Sequence, residues 1–414
     1  MKVVQFIAAE SIFWCLRALS LLPYSFLYSL SKKLGWLLYY TYPKFRKRAL
    51  SNLSLAKDLN LDEKALKKTA LESFQNLALT ILEYGYIAKK NNFQSLIHVT
   101  NPDVLPTVKK QYGSIVFFSS HFANWEIPFL DLCTKTQAIA IGRPIKNPYL
   151  YARLTSLRES TGGKMTEPKN AISIATKALK SGICVGMVAD QGLQESSYKQ
   201  PFLGRVATNT TAPALLAYKT NKPLIVGTSF RDDKQQPITY HAPIFPNQKK
   251  PLKQEVHRMM NEALAIIENA VKKNPSQWLW VHNRWKMPTS IFVKKKYRYE
   301  SMLIILPDDP IFAKKITLFD TIYPHHFITV MHPKNIIPNI NAKKIAYQSI
   351  QDLFKKDYSY KLVFDFTNSK ALKRFYKKLA VLTYVFGKTI QQKRSKEDFL
   401  THFDTIFTHF IQYD

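Results

Sequence analysis

The sequence predicts an α/β sandwich built around a largely parallel sheet. Three observations predict it. Short apolar runs of strand length recur at residues 114–118, 137–141, 184–188 and 224–228. Stretches with helical periodicity lie between them, at 150–160, 171–181 and 211–220, and such alternation is how a parallel sheet covers both of its faces. The chain is also 414 residues long and 46% hydrophobic, enough for two domains with sizeable cores.

The elements follow in order. Residues 3–42 are rich in Leu, Phe, Tyr and Trp, but Glu10, Arg17, Lys32 and Lys33 interrupt them, and no uncharged run reaches the ~18 residues of an unambiguous membrane span. A signal peptide is disfavoured, because Glu10 sits where an apolar centre belongs and no small-residue cleavage site follows. The reading is an attached hydrophobic segment over residues 1–45. Lys44, Arg46, Lys47 and Arg48 come next, which suits an anionic cytoplasmic membrane face. An amphipathic helix packed on the protein's own core is the alternative.

Leu66, Ala70, Phe74, Leu77, Ile81 and Tyr84 then recur at helical spacing. The alternating region ends with an amphipathic run through Val256, Met260, Leu264, Ile267 and Val271, stopped by Asn274-Pro275. Residues 46–290 are therefore read as one α/β domain. Lys294, Lys295, Lys296 and Arg298 read as a basic linker into a further α/β region, 291–414, with strands at 302–306 and 327–331 around a helix at 309–322. That region has no Gly-rich phosphate loop, so nucleotide-sugar binding is disfavoured, and His325 and His326 read as loop residues.

The candidate site lies after the first strand, at His121-Phe122-Ala123-Asn124-Trp125-Glu126. A predicted helix at 124–135, with Asn124 as N-cap, places this segment on a strand-to-helix turn, and ligands of open α/β sheets bind at the carboxyl ends of strands. A spacing of five does not stack two residues on one helical face, so the turn must bring His121 and Glu126 together. A neutral imidazole takes a proton from a hydroxyl, and a carboxylate on its other nitrogen fixes the tautomer. This is a hydrolase triad without its serine, and the nucleophile would be a hydroxyl or amine of an acceptor substrate. A capping His beside a first-turn Glu is the plain alternative.

Arg143, Lys146, Arg153 and Arg158 follow the second strand. Arg143 is favoured for phosphate, because Pro144 fixes the turn after its strand, whereas Arg153 and Arg158 read as solvated helix residues. Asp190 and Gln191 end the strand at 183–188, where Asp190 binds a substrate hydroxyl, positions Arg205, or serves as an ordinary turn residue. Thr208, Asn209 and Thr210 are placed to cap the next helix and aim its amides at an anion. Trp280 to Lys286 reads as a structural wall, with Arg284 the possible exception.

Taken together, His121 to Glu126, Arg143-Pro144-Ile145-Lys146-Asn147-Pro148, Asp190-Gln191, Phe202 to Thr208 and Trp280 to Lys286 make the chain resemble the lipid A biosynthesis late acyltransferases of the lysophospholipid acyltransferase superfamily. The resemblance covers roughly residues 1–290 and rests on the order of five segments. Leu203 replaces one of two aromatics in the family's pattern, and Asn283 stands where Arg is common. The resemblance implies an acyltransferase-type α/β sandwich and transfer from an acyl carrier protein thioester to a hydroxyl of a lipid A precursor. It makes His121 the general base and Glu126 its partner. Arg143, Asn147, Asp190, Arg205 and Arg284 become the substrate-binding candidates. Backbone amides near the turn, with Arg143, would hold the oxyanion. No metal is expected, and no cofactor beyond the donor's phosphopantetheine. The implied location is the cytoplasmic face of the inner membrane. An acyltransferase for glycerolipid acceptors and a basic scaffold without chemistry are the competing readings.

Charge agrees with this in kind. Lys and Arg number 60 against 29 Asp and Glu, a net +31 that favours acidic carrier proteins, anionic lipids or phosphorylated glycolipids. Nucleic acid is disfavoured, since no zinc-finger, basic-zipper or RNA-recognition pattern accompanies the charge. Cys15, Cys133 and Cys184 are too scattered for a metal site or a disulfide framework, which points to a reducing compartment.

Overall fold

The computed structural model describes residues 2–88, 93–167, 170–194, 196–232, 235–289, 293–385 and 403–404. The chain divides into two compact units assembled from separated stretches. One comprises residues 1–41, 67–191 and 209–279, and the other 42–66, 192–208 and 280–414. The sequence-based division at 290/291 falls on residues outside those described.

The first unit is built on a seven-stranded sheet. Its strands are β1 (Ile97–Val99), β2 (Val116–Ser119), β3 (Ala138–Ile141), β4 (Lys164–Thr166), β5 (Cys184–Val188), β8 (Leu224–Ser229) and β9 (Gln236–Tyr240), with the hairpin strands β6 (Lys199–Phe202) and β7 (Arg205–Thr208) lying in the second unit. The order is β1-β9-β8-β2-β5-β3-β4, and only the β8–β9 pair is antiparallel. Every residue of β2 is buried, the continuous burial of a parallel strand covered on both faces. In its register with β5, Ser119 lies opposite Val188.

The four strands and three helices read from the sequence between residues 114 and 228 are present, with ends shifted by at most two residues. Strands β1, β4 and β9 escaped that reading. β1 and β4 are only three residues long, and Pro237 interrupts the apolar pattern of β9. The closing helix runs Leu252–Lys273 and buries Val256, Met260, Leu264, Ile267 and Val271.

The amino-terminal segment is two helices, Lys2–Leu19 and Tyr24–Thr41, separated at Pro23. Both pack against the helix Glu63–Ile87 through glycine. A Cβ on Gly85 would overlap the Leu16 carbonyl oxygen, and one on Gly35 would overlap the Gln75 backbone. Among the described residues no helix is long and apolar enough to cross a membrane. Yet Val3, Val4, Ile7, Trp14, Leu21, Trp36 and Tyr40 each expose more than half of their surface.

The second unit carries five parallel strands where two were expected: β10 (Ser301–Ile305), β11 (Phe327–Pro333), β12 (Lys343–Tyr347), β13 (Leu362–Asp365) and β14 (Leu382–Val385). Their order β12-β11-β10-β13-β14 is the doubly wound arrangement, in which the chain reverses direction across the sheet after its third strand. The expected single helix at 309–322 is two, Pro310–Lys315 and Leu318–Ile322. Fully buried Lys361 pairs with Glu300 and donates to Asn52 Oδ1 at 2.7 Å. Asn52, on the helix Pro43–Leu55, donates in turn to the carbonyls of Trp280 and His282, so one buried polar cluster ties three segments of this unit together. In the β6–β7 hairpin, Leu203 and Gly204 both have positive φ (52° and 75°), the two-residue turn whose twist matches its strands. Leu203 takes this left-handed position with its side chain fully buried.

Gly85→Ala is expected to lower stability by about 1–3 kcal/mol through overpacking against the Leu16 carbonyl. An unchanged urea midpoint would show that the first helix does not depend on this close approach.

Candidate functional site

The register of β2 with β5 carries both strands to the same edge. Two residues beyond the paired Ser119 and Val188 stand His121 and Asp190. The Asp190 carboxyl is fully buried and the His121 side chain is 21% exposed. Asp190 Oδ1 lies 2.6 Å from His121 Nδ1. Its other oxygen accepts the His121 backbone N–H at 3.0 Å and the Trp278 indole N–H at 2.6 Å. Burial by itself would raise the pKa of Asp190. The His121 charge and the hydrogen bonds from the His121 ring, Trp278 and the His121 N–H outweigh it, and hold the carboxyl below its usual range.

The expected partner of the imidazole is therefore corrected: Asp190, not Glu126, occupies Nδ1. The physical reason lies in what surrounds Glu126. That residue precedes the helix Ile127–Lys135, and its carboxylate receives Arg158 in the two-pronged geometry of a guanidinium, Nε at 2.7 Å and Nη2 at 2.6 Å. The Tyr84 hydroxyl at 2.8 Å and the Trp125 indole at 3.1 Å also donate to it. Burial would raise its pKa, but the Arg158 bonds, the Arg158 charge, Tyr84 and the nearby His121 charge bring it below the ordinary value. Arg158, read from sequence as solvated, is instead half-buried and locked to Glu126. A buried carboxylate demands a cation, and this was the signal that could have identified it. Arg153 is exposed and pairs with Glu10 on the first helix.

The turn between His121 and Glu126 is held from beneath. Ala123 adopts a left-handed φ of 49°, which costs a non-glycine residue about 1–3 kcal/mol. Its N–H donates to the Gln277 carbonyl at 2.9 Å, and Thr80 donates to its carbonyl at 3.0 Å. Asn124 donates to Glu83, which also receives Tyr24 and the Arg231 guanidinium. Gln236 and Asn124 exchange two further bonds. In consequence the N–H groups of His121, Phe122, Ala123, Asn124 and Glu126 all have acceptors inside the fold. The expected oxyanion hole of turn amides is not supplied by these five.

The other candidates separate. Arg143 lies two residues past β3 on the same sheet edge as His121 and Asp190, and it is exposed. Asn147 caps the helix Pro148–Glu159, its carbonyl accepting the N–H groups of Tyr149 and Leu150 while its amide donates to Gln5. Both halves of that side chain are bonded within the fold. Arg205 and Arg284 belong to the second unit. Arg205 lies over Phe327 at 3.6 Å, and Arg284 is buried over Phe202 at 4.3 Å and donates to the Thr208 carbonyl. Asn209 and Thr208 are buried, and no side-chain cap bond is made by Thr211. No cluster of metal-ligating side chains occurs among the described residues.

The sequence profile of the family described as bacterial lipid A biosynthesis acyltransferase matches residues 7–287. No curated protein matches the chain.

Glu126→Gln leaves the Arg158 charge half-buried without its carboxylate, and about 3–5 kcal/mol of stability is expected to be lost near neutral pH. The folded-state pKa values of Glu126 and Asp190 lie below their unfolded values, so the stability they contribute is present above pH ~4–5 and disappears as pH falls through the depressed values. The deficit of Glu126→Gln should therefore shrink in acid. Urea unfolding across pH checks this, and a deficit independent of pH would contradict it.

Proposed function

The chain belongs to the bacterial lipid A biosynthesis acyltransferase family, and from that premise we propose that it moves a fatty acyl chain from an acyl carrier protein thioester to a hydroxyl of a phosphorylated lipid A precursor. The observation that carries the proposal is the His121–Asp190 pair. No hydroxyl or thiol side chain of the protein is among the described hydrogen-bond partners of the imidazole, so the nucleophile is assigned to the acceptor.

With Nδ1 engaged by Asp190, Nε2 is the nitrogen left for chemistry. It takes the proton of the acceptor hydroxyl as that oxygen attacks the thioester carbonyl, giving an imidazolium that buried Asp190 stabilises. Collapse of the tetrahedral intermediate breaks the carbon–sulfur bond. The proton passes from Nε2 to the departing thiolate, which regenerates the neutral base. The oxyanion is assigned to Arg143, the exposed cation on the same edge. Glu126 and Arg158 hold the turn and the neighbouring helix in place.

The proposed location is the inner membrane surface on its cytoplasmic side. The support is the apolar surface of the first two helices, Trp14, Trp36 and Tyr40 among it, interrupted by charges and too short of apolar length to span. Such helices lie in the interfacial plane. A glycerolipid acceptor would use the same chemistry, and the lipid A mass spectrum of a deletion strain separates the two, since only loss of the proposed reaction leaves lipid A short of an acyl chain.

His121→Ala is expected to reduce acyl transfer by at least about 10³-fold, and Asp190→Asn by roughly 10²–10⁴-fold through loss of the correct tautomer, both in folded protein. Glu126→Gln, compared below its unfolding transition, should lose less than Asp190→Asn. The reverse order in a transfer assay would restore Glu126 as the orienting carboxylate.

A further inference from the structure

The second unit contains a cleft of about 310 Å³ that the acyltransferase reading leaves unused. Its rim carries three ammonium groups, from Lys47 near the start of the helix Pro43–Leu55 and from Lys373 and Lys377 on the helix Lys370–Leu379. The floor is the apolar stretch Ala380 to Leu382, and Thr383 completes the lining. Among the described residues no acidic side chain lines it, and none of the three lysines has a carboxylate partner in an ion pair.

This grouping is electrostatically unfavourable as it stands. Lys373 and Lys377 are a like-charge pair one helical turn apart, and such pairs destabilise a helix. Lys47 adds a third cation by donating to the Lys377 carbonyl. Burial, then the charges of Arg46 and Lys377, hold the Lys47 ammonium below its usual range, the signature of a cation short of a counterion. Thr383 Oγ1 is buried without a hydrogen-bond partner, although a hydroxyl both donates and accepts.

We propose that this cleft is a binding site for a phosphate ester, with the three ammonium groups and the Thr383 hydroxyl on the phosphoryl oxygens and the apolar floor beneath the attached carbon chain. Three point charges and one hydroxyl suit a compact tetrahedral oxyanion. The same chemistry is offered by a soluble phosphate ester and by a lipid phosphate at a membrane surface. Exposed Phe45 and Tyr42, beside Lys44 and Arg46 on the same chain segment, make either source sterically open.

The test uses the full chain with two probes, inorganic phosphate followed by thermal unfolding at constant ionic strength, and phosphatidylcholine vesicles with and without phosphatidic acid followed by flotation. Three variants are compared with wild type. They are Lys373→Ala/Lys377→Ala, Thr383→Val, which keeps the charge, and Lys343→Ala/Lys344→Ala on exposed β12, which removes equal charge elsewhere. Affinity for at least one probe is expected to fall roughly tenfold per lysine in the first variant and several-fold in the second, with little change in the third. A response to inorganic phosphate identifies a soluble ester as sufficient, and a response to vesicles alone identifies the lipid headgroup. Binding of neither probe, or equal losses in the two lysine pairs, overturns the site. His121→Ala should bind both probes as wild type does, so failure here and failure of the acyl-transfer reading are separate results.

Discussion

The parallel pairing of β2 with β5 is the constraint on which the candidate site depends. Hydrogen bonding in the sheet sets Ser119 beside Val188, and each chain continues two residues further before turning. His121 and Asp190, separated by 69 positions, become neighbours as a result. A slip of one residue in that register would aim one of them at the opposite face of the sheet. The buried residues of β2 oppose such a slip, because it would reverse every side chain of a strand packed on both sides. The same pairing makes it tolerable to bury Asp190. Its two oxygens receive three donors, one from Trp278, and a carboxylate so satisfied stays ionised where an isolated one would take up a proton.

The two carboxylates of the region have divided the work that one motif suggested. Asp190 orients the imidazole, while Glu126 fixes the turn and the helix that carries Arg158. The left-handed Ala123 between His121 and Glu126 marks where the backbone is bent to achieve this. Its cost is offset by bonds from outside the motif, the Gln277 carbonyl and the Thr80 hydroxyl, and through Asn124 by the buried Glu83–Arg231 pair. Strain of this kind persists only where surrounding structure over-determines it, and here it sits between the two functional side chains.

The alternation of apolar strands and amphipathic helices was legible because each has its own period, and the edge to which His121, Asp190 and Arg143 belong followed from their positions at strand ends. The pairing of His121 with Glu126 was an inference from nearness in sequence, and it failed because strand order decides neighbours. The order β8-β2-β5-β3 cannot be derived from one sequence, but a parallel sheet with two polar residues ending adjacent strands was the available hint. Arg158 looked solvated because helix periodicity says nothing about which charges lie beneath. Three-residue strands such as β1 and β4 carry too little pattern to register. In the second unit β12 was missed for a related reason: it reads Lys343-Lys344-Ile345-Ala346-Tyr347, an exposed edge strand with little apolar signal.

A site without its own nucleophile must keep water from replacing the acceptor, since a base that activates a lipid hydroxyl activates water as well. The first unit contains a physical route by which an apolar surface and the site are tied together. The helix Pro148–Glu159 holds Glu126 through Arg158 at one end. Along the same helix Arg153 pairs with Glu10, Asn147 bonds to Gln5, and Tyr149 meets Phe6 edge-on at 5.3 Å. Both Glu10 and Gln5 lie on the first helix, which exposes Val3, Val4, Ile7 and Trp14. A lipid surface seated on that helix would thus be coupled, through one rigid element, to the turn that carries His121.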